Sequence, residues 1–136
     1  HLLLRLLPVR DAAELVYLKV GGPYSGSVFG SNVFSHAQYQ EIRKGNPVFS
    51  GVTAFFGAPV SFSEGTQTQR ARVELVSGNY FEVMGLAAAG GRLLSDADDR
   101  VRGGHPVAVI SHDFWIRRFG GQMDAVNREV KLNGLS

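Results

Sequence analysis

The sequence predicts an α+β fold, and three observations carry that prediction. Residues 48–76 alternate apolar and polar side chains with period two, while residues 36–44 and 114–119 each form a short helical segment behind a serine that can cap it. Strands gathered in one stretch with helices before and after it are the α+β pattern, not the strand–helix alternation of a parallel sheet. At 136 residues, 44% hydrophobic and 19% charged, the chain has the length and apolar content for one domain with its own core. Residues 1–136 are read as that single domain, with sublobes 1–90 and 91–136 as the division open to it.

Taken in order, Leu2-Leu3-Leu4-Arg5-Leu6-Leu7-Pro8 is too apolar for a free end in water, and Pro8 stops any helix before it. Two readings stand open there: a segment docked into the core, or the exit from a transmembrane helix. Residues 14–20 hold Leu15, Val16, Tyr17, Leu18 and Val20 ahead of Gly21-Gly22-Pro23, which suits a largely buried strand. After a Gly/Ser loop, Ser35 and Gln38 have capping-box spacing. Tyr39 and Ile42 then share one helical face, and Gly45 with Asn46-Pro47 ends the helix over residues 36–44.

The period-two stretch divides into three expected strands, with turns at Gly57-Ala58-Pro59 and Glu64-Gly65-Thr66. In the last of them Arg70, Arg72 and Glu74 should face water and Ala71, Val73 and Leu75 the core. Ser77-Gly78-Asn79 starts a short helix whose Tyr80, Phe81, Val83 and Met84 are expected in the core, closed by Gly85. Pro106-Val107-Ala108-Val109-Ile110 is expected as a buried strand leading into Ser111, the N-cap of the helix over residues 114–119, which Gly120-Gly121 ends. Glu129-Val130-Lys131-Leu132 alternates up to Asn133-Gly134, a strong hairpin turn signal. The strand returning from that turn is expected beyond Ser136, so the chain is read as part of a longer protein.

Bulk composition narrows the function. Lys+Arg 14 against Asp+Glu 12 leaves a formal charge of +2, and the basic residues are scattered along the sequence, which argues against nucleic acid as a partner. Cys 0 removes disulfides, thiolate metal ligands and a cysteine nucleophile. No apolar run reaches the roughly 20 residues of a membrane-spanning helix.

The motifs that could carry chemistry are weak. Asp96, Asp98 and Asp99 with His105 suggest a hard-cation site, but Arg100 and Val101 stand where an EF-hand loop continues with its glycine and further ligands. No His-x-x-x-His pair joins His1, His36, His105 and His112. Ser111-His112-Asp113 has the residue types of a hydrolytic triad, yet neighbours in a row cannot meet in a geometry assembled across a fold. Neither a dinucleotide-binding nor a P-loop glycine pattern occurs. Catalytic, cofactor and metal residues are therefore read as none. Phe55 and Phe56, adjacent in a strand, point to opposite faces if the backbone is regular; either both are covered or one belongs to a partner surface, and on the second reading they are the candidate partner-contact residues.

Three segments together resemble the MacB-like and FtsX-like ABC transporter permeases, in their periplasmic core domain. The first is residues 2–11 with Leu15-Val16. The second runs Val73-Glu74-Leu75-Val76-Ser77-Gly78-Asn79-Tyr80-Phe81-Glu82-Val83-Met84-Gly85 and on to Gly91-Arg92. The third comprises residues 106–111, Trp115, Arg118-Phe119-Gly120-Gly121 and Val130-Lys131-Leu132-Asn133-Gly134. The resemblance implies a βαββ porter-like sheet with helices packed on one face plus a smaller α/β lobe. It further implies no enzyme activity in this domain and a place on the periplasmic side of the bacterial inner membrane. The implied partners are a cognate cytoplasmic ABC ATPase acting through the membrane part, a second permease copy, and a periplasmic adaptor or substrate. A free-standing extracytoplasmic solute- or peptide-binding module is the competing reading.

Overall fold

The structure is a computed structural model that describes residues 11–18 and 33–134. The apolar residues 2–8, the last two residues of the strand expected over 14–20, the Gly/Ser loop expected after it up to Asn32, and any return strand after Gly134 lie outside the described residues. Helix α1 spans His36–Lys44, as the capping pattern predicts. Ser35 Oγ accepts from the Gln38 N–H while Gln38 Oε1 accepts from the Ser35 N–H, the reciprocal bonds of a capping box.

Strands β1 (Phe55–Glu64) and β2 (Gln67–Val76) form an antiparallel hairpin, and β3 (Lys131–Leu132) adds to the far edge of β1, giving the order β2-β1-β3. Helix α2 (Tyr80–Met84) follows the hairpin, and α3 (His112–Phe119) precedes β3. Single 3-10 turns stand at Ala12–Glu14, Asp96–Asp99 and Met123–Ala125. An antiparallel sheet with separate helices is the α+β class that the sequence predicts.

The hairpin departs from the expected three-strand meander. Its loop is Gly65-Thr66, with Gly65 at φ 58°, the glycine-first pattern of a type II′ turn. Gly57-Ala58-Pro59 is no turn: β1 runs straight through it, with Pro59 opposite Arg72. The ladder explains why proline fits there. Ser61 bonds through both its N–H and its C=O to Asn133, so the odd-numbered residues of β1 point their backbone groups away from β2. Among the described residues no strand pairs with β1 on that side at Pro59, since β3 pairs with Phe62 and Ser63, so the missing N–H removes no ladder bond.

The core lies where α3 crosses the sheet. Phe62, only 3% exposed, meets Phe114 at 5.0 Å and Phe119 at 6.4 Å, both edge-on, while Arg118 lies over its ring. Ser111 caps α3 by accepting from the Phe114 N–H, and Gly120 ends it in the left-handed conformation. Glu64 ties the same end together by pairing with Arg118 at 3.2 Å and Arg128 at 2.8 Å.

In their described residues, two apolar runs expected as buried strands are neither strands nor buried. Glu14 closes a 3-10 turn and residues 15–18 have no regular structure; residues 106–110 likewise follow an irregular, exposed path. Hydrophobic β-formers become a strand only where an edge accepts their hydrogen bonds, and among the described residues none does so for these segments. Leu75 also departs from its expected inward position, at 62% exposure, because α3 covers the opposite end of that sheet face. Tyr80 and Phe81 are half-buried where full burial is expected.

Candidate functional site

At the end of the hairpin away from α3, β1 begins with the two candidate contact residues. Phe55 is 50% exposed and Phe56 41% exposed. Alternation puts them on opposite sheet faces. Phe55 sits between Tyr17 at 6.0 Å and Tyr80 at 6.4 Å, and Tyr80 stands edge-on to Phe81 at 5.4 Å. Burial, and then the Glu74 carboxylate, push the Tyr80 hydroxyl above its usual range. Phe56 lies opposite Leu75 and makes with it an apolar pair on the other face.

A buried polar joint holds this end of the hairpin. Ser77 extends the ladder one step, donating its N–H to the Ala54 carbonyl, while its Oγ accepts the Ala54 N–H at 3.0 Å. Ser77 Oγ–H donates in turn to Asn79 Oδ1 at 2.8 Å, which also accepts the Tyr39 hydroxyl at 3.1 Å. Asn79 Nδ2 donates to the Val52 carbonyl at 2.9 Å, and Thr53 Oγ1 lies 2.7 Å from Ser77 Oγ. Because the Ser77 proton is committed to Asn79, Thr53 is the donor in that pair. The joint ties α1, the entry to β1 and the exit of β2 into one unit, with the polar atoms of Ser77 and Asn79 satisfied. Sequence reasoning reads Ser77-Gly78-Asn79 only as a helix start. The available signal is a run of small polar residues directly after an apolar strand, but nothing in the sequence names Tyr39 as the partner.

The acidic loop is built from ion pairs and caps. Asp96 takes both Arg43 guanidinium nitrogens, at 2.7 and 3.1 Å, and Asp98 takes both from Arg92 at 2.8 Å. The bond from Arg43 holds the Asp96 carboxyl below the usual carboxylate range. The Arg92 guanidinium and then the Ser95 N–H hold Asp98 well below it. Asp99 accepts the Gly78 N–H at 3.0 Å. Each carboxylate thus has a protein partner, and among the described residues no cluster of three or more His, Asp or Glu has metal-binding geometry.

His105 lines a small cleft of about 160 Å³ with Asp98 and Asp99. Ser111 is engaged as a cap, and His112 lies 5.6 Å from the Trp115 ring, so the triad residue types serve the helix. A larger cleft of about 560 Å³ opens between β2 and α3, lined by arginines and Phe114. Neither cleft involves Phe55, Phe56 or Tyr80.

Among the described residues no helix is long and apolar enough to cross a membrane. Neither the curated proteins nor the solved structures contain a match to the chain. The family model described as MacB-like periplasmic core domain matches residues 6–136, and through that match nearly end to end the chain belongs to the MacB-like periplasmic core domain family, the periplasmic part of ABC transporter permeases.

Proposed function

We propose that this domain transmits conformational change, driven by a separate cytoplasmic ATPase, to substrate export or to a periplasmic partner. The family match over residues 6–136 is the observation that carries the reading. The packing supports it. The hairpin is cross-tied at one end by Tyr39, Ser77 and Asn79, and at the other by Phe62, Glu64 and α3. An element fixed at both ends moves as a body and passes a displacement along its length. Pairing of β3 with β1 supports treating residues 1–136 as one domain. Within this reading the domain stands on the periplasmic side of the inner membrane in a permease dimer, and Phe55 and Phe56 contact the partner.

A free-standing solute- or peptide-binding module would need an enclosed apolar pocket around Phe55, Phe56 and Tyr80. Neither of the two clefts described above is lined by those residues, and the family match favours the transport reading.

The test uses the full permease reconstituted with its ATPase. Amide exchange across residues 55–76 should change when the ATPase is trapped with nucleotide and vanadate. Phe55→Asp/Phe56→Asp should lower transport while basal ATP hydrolysis persists. Exchange that is unchanged throughout the domain on nucleotide trapping refutes transmission. Normal transport by the double variant refutes the contact role.

A further inference from the structure

The cleft between β2 and α3 combines three features that the transport reading does not use. The first is charge: Arg70, Arg72, Arg117 and Arg118 line it, and no carboxylate does. Arg118 is held by Glu64 and Gln67, but among the described residues Arg70 and Arg72 form no ion pair. Four arginines lining one depression give it a positive field, although the whole chain carries only +2.

The second feature is backbone. Among the described residues the sheet order β2-β1-β3 leaves β2 at an edge, and the register decides which of its groups face outward. Ser61 directs its backbone toward Asn133, so Arg70, opposite Ser61 and not bonded to it, turns its N–H and C=O away from β1. Arg72, opposite Pro59, does the same. The continuation of the ladder agrees with this phase, since Ser77 donates to Ala54, an odd residue of the second strand to an even residue of the first. The two residues that carry the outward-facing backbone groups are therefore also two of the arginines. The third feature is apolar surface, supplied by Phe114 on the α3 side of the sheet.

We propose that the free edge of β2 and the cleft beside it form a docking groove for an extended, acidic peptide segment of a partner protein. The segment adds to the sheet as a further strand, with its main chain on the outward groups of Arg70 and Arg72. Its carboxylates meet Arg70 and Arg72 on one face of the added strand, and its apolar side chains lie on the other face, against Phe114 and within the positive field of Arg117. Charged residues on an edge strand also guard against uncontrolled pairing, and the same arginines that repel a basic or neutral strand admit an acidic one. The groove does not depend on whether the domain transmits motion.

The experiment uses the 136-residue chain and a short capped fluorescent peptide alternating Glu and Val. We expect saturable binding that weakens about tenfold when salt is raised from low to high, as for contacts between exposed charges. Arg70→Glu/Arg72→Glu should weaken binding about tenfold or more, and so should N-methylation of alternate amides of the peptide, which keeps its charge but blocks pairing. A Lys-Val peptide should not bind. Arg117→Glu lies outside the sheet and should weaken binding several-fold, which keeps the test open if the strand variant unfolds. Absence of binding by the Glu-Val peptide, equal binding by the N-methylated peptide, or unchanged binding by both arginine variants overturns the proposal.

Discussion

Asn79 shows how much one buried side chain can decide. It accepts from Tyr39 and Ser77 and donates to Val52, so its removal leaves several buried groups unpaired. Asn79→Ala should lower stability by about 3 kcal/mol in urea denaturation, more than the usual single hydrogen bond, because the penalty is desolvation without repayment. Gly78 is constrained differently: a Cβ there would stand 2.5 Å from the Ser95 carbonyl oxygen and 2.9 Å from the Asp96 Cα. Backbone on both sides cannot yield, so Gly78→Ala should cost about 2–4 kcal/mol by the same measurement. The acidic loop gives a pH signature. Asp96 and Asp98 titrate below their unfolded value of about 3.9, so the stability they contribute is complete above that pH and is lost as pH falls through their depressed folded values. Melting temperature should therefore fall below about pH 4, and Asp98→Asn should flatten that slope. The serine, glycine and asparagine are plain in the sequence, but their joint role is not, because Tyr39 and Asp99 arrive from distant positions.

At the scale of elements, local signals were sufficient wherever the element closes on its own residues. Both caps, Ser35 and Ser111, form as their spacing predicts, and Ser111→Ala should cost about 1 kcal/mol and fray α3, read by helical circular dichroism and thermal melting. Gly65 at the hairpin turn is of the same kind: its positive φ is local to a two-residue loop. Pro59 is the counter-example. Read locally it marks a turn, yet it sits in a ten-residue strand because, among the described residues, no strand pairs with the side facing away from β2 at that point. The runs at residues 15–18 and 106–110 fail for the complementary reason, since each has strand composition and no edge to join.

For the molecule as a whole, three phenylalanines of one strand separate core from surface. Phe62→Ala should cost about 3–5 kcal/mol and leave the chain largely unfolded at room temperature, because Tyr39, Phe62 and Phe119 are the buried hydrophobic residues among those described. Phe55→Asp and Phe56→Asp should each cost no more than about 1 kcal/mol, since both rings already lie half in water. Chemical denaturation of the three variants side by side checks the contrast. By itself the sequence determined the α+β class, both capped helices, the glycine turn, the Asn133-Gly134 turn and the family, because these depend on contacts a few residues apart or on a pattern spread along the chain. Only the tertiary structure decided that Pro59 lies within a strand, that Tyr39 meets Asn79, and that Arg70 and Arg72 stand on a strand that is an edge among the described residues, beside a cleft that Arg117 of α3 also lines. Each of those depends on which residue stands across a ladder or beneath a helix, and periodicity marks the face a side chain takes without naming what that face will meet.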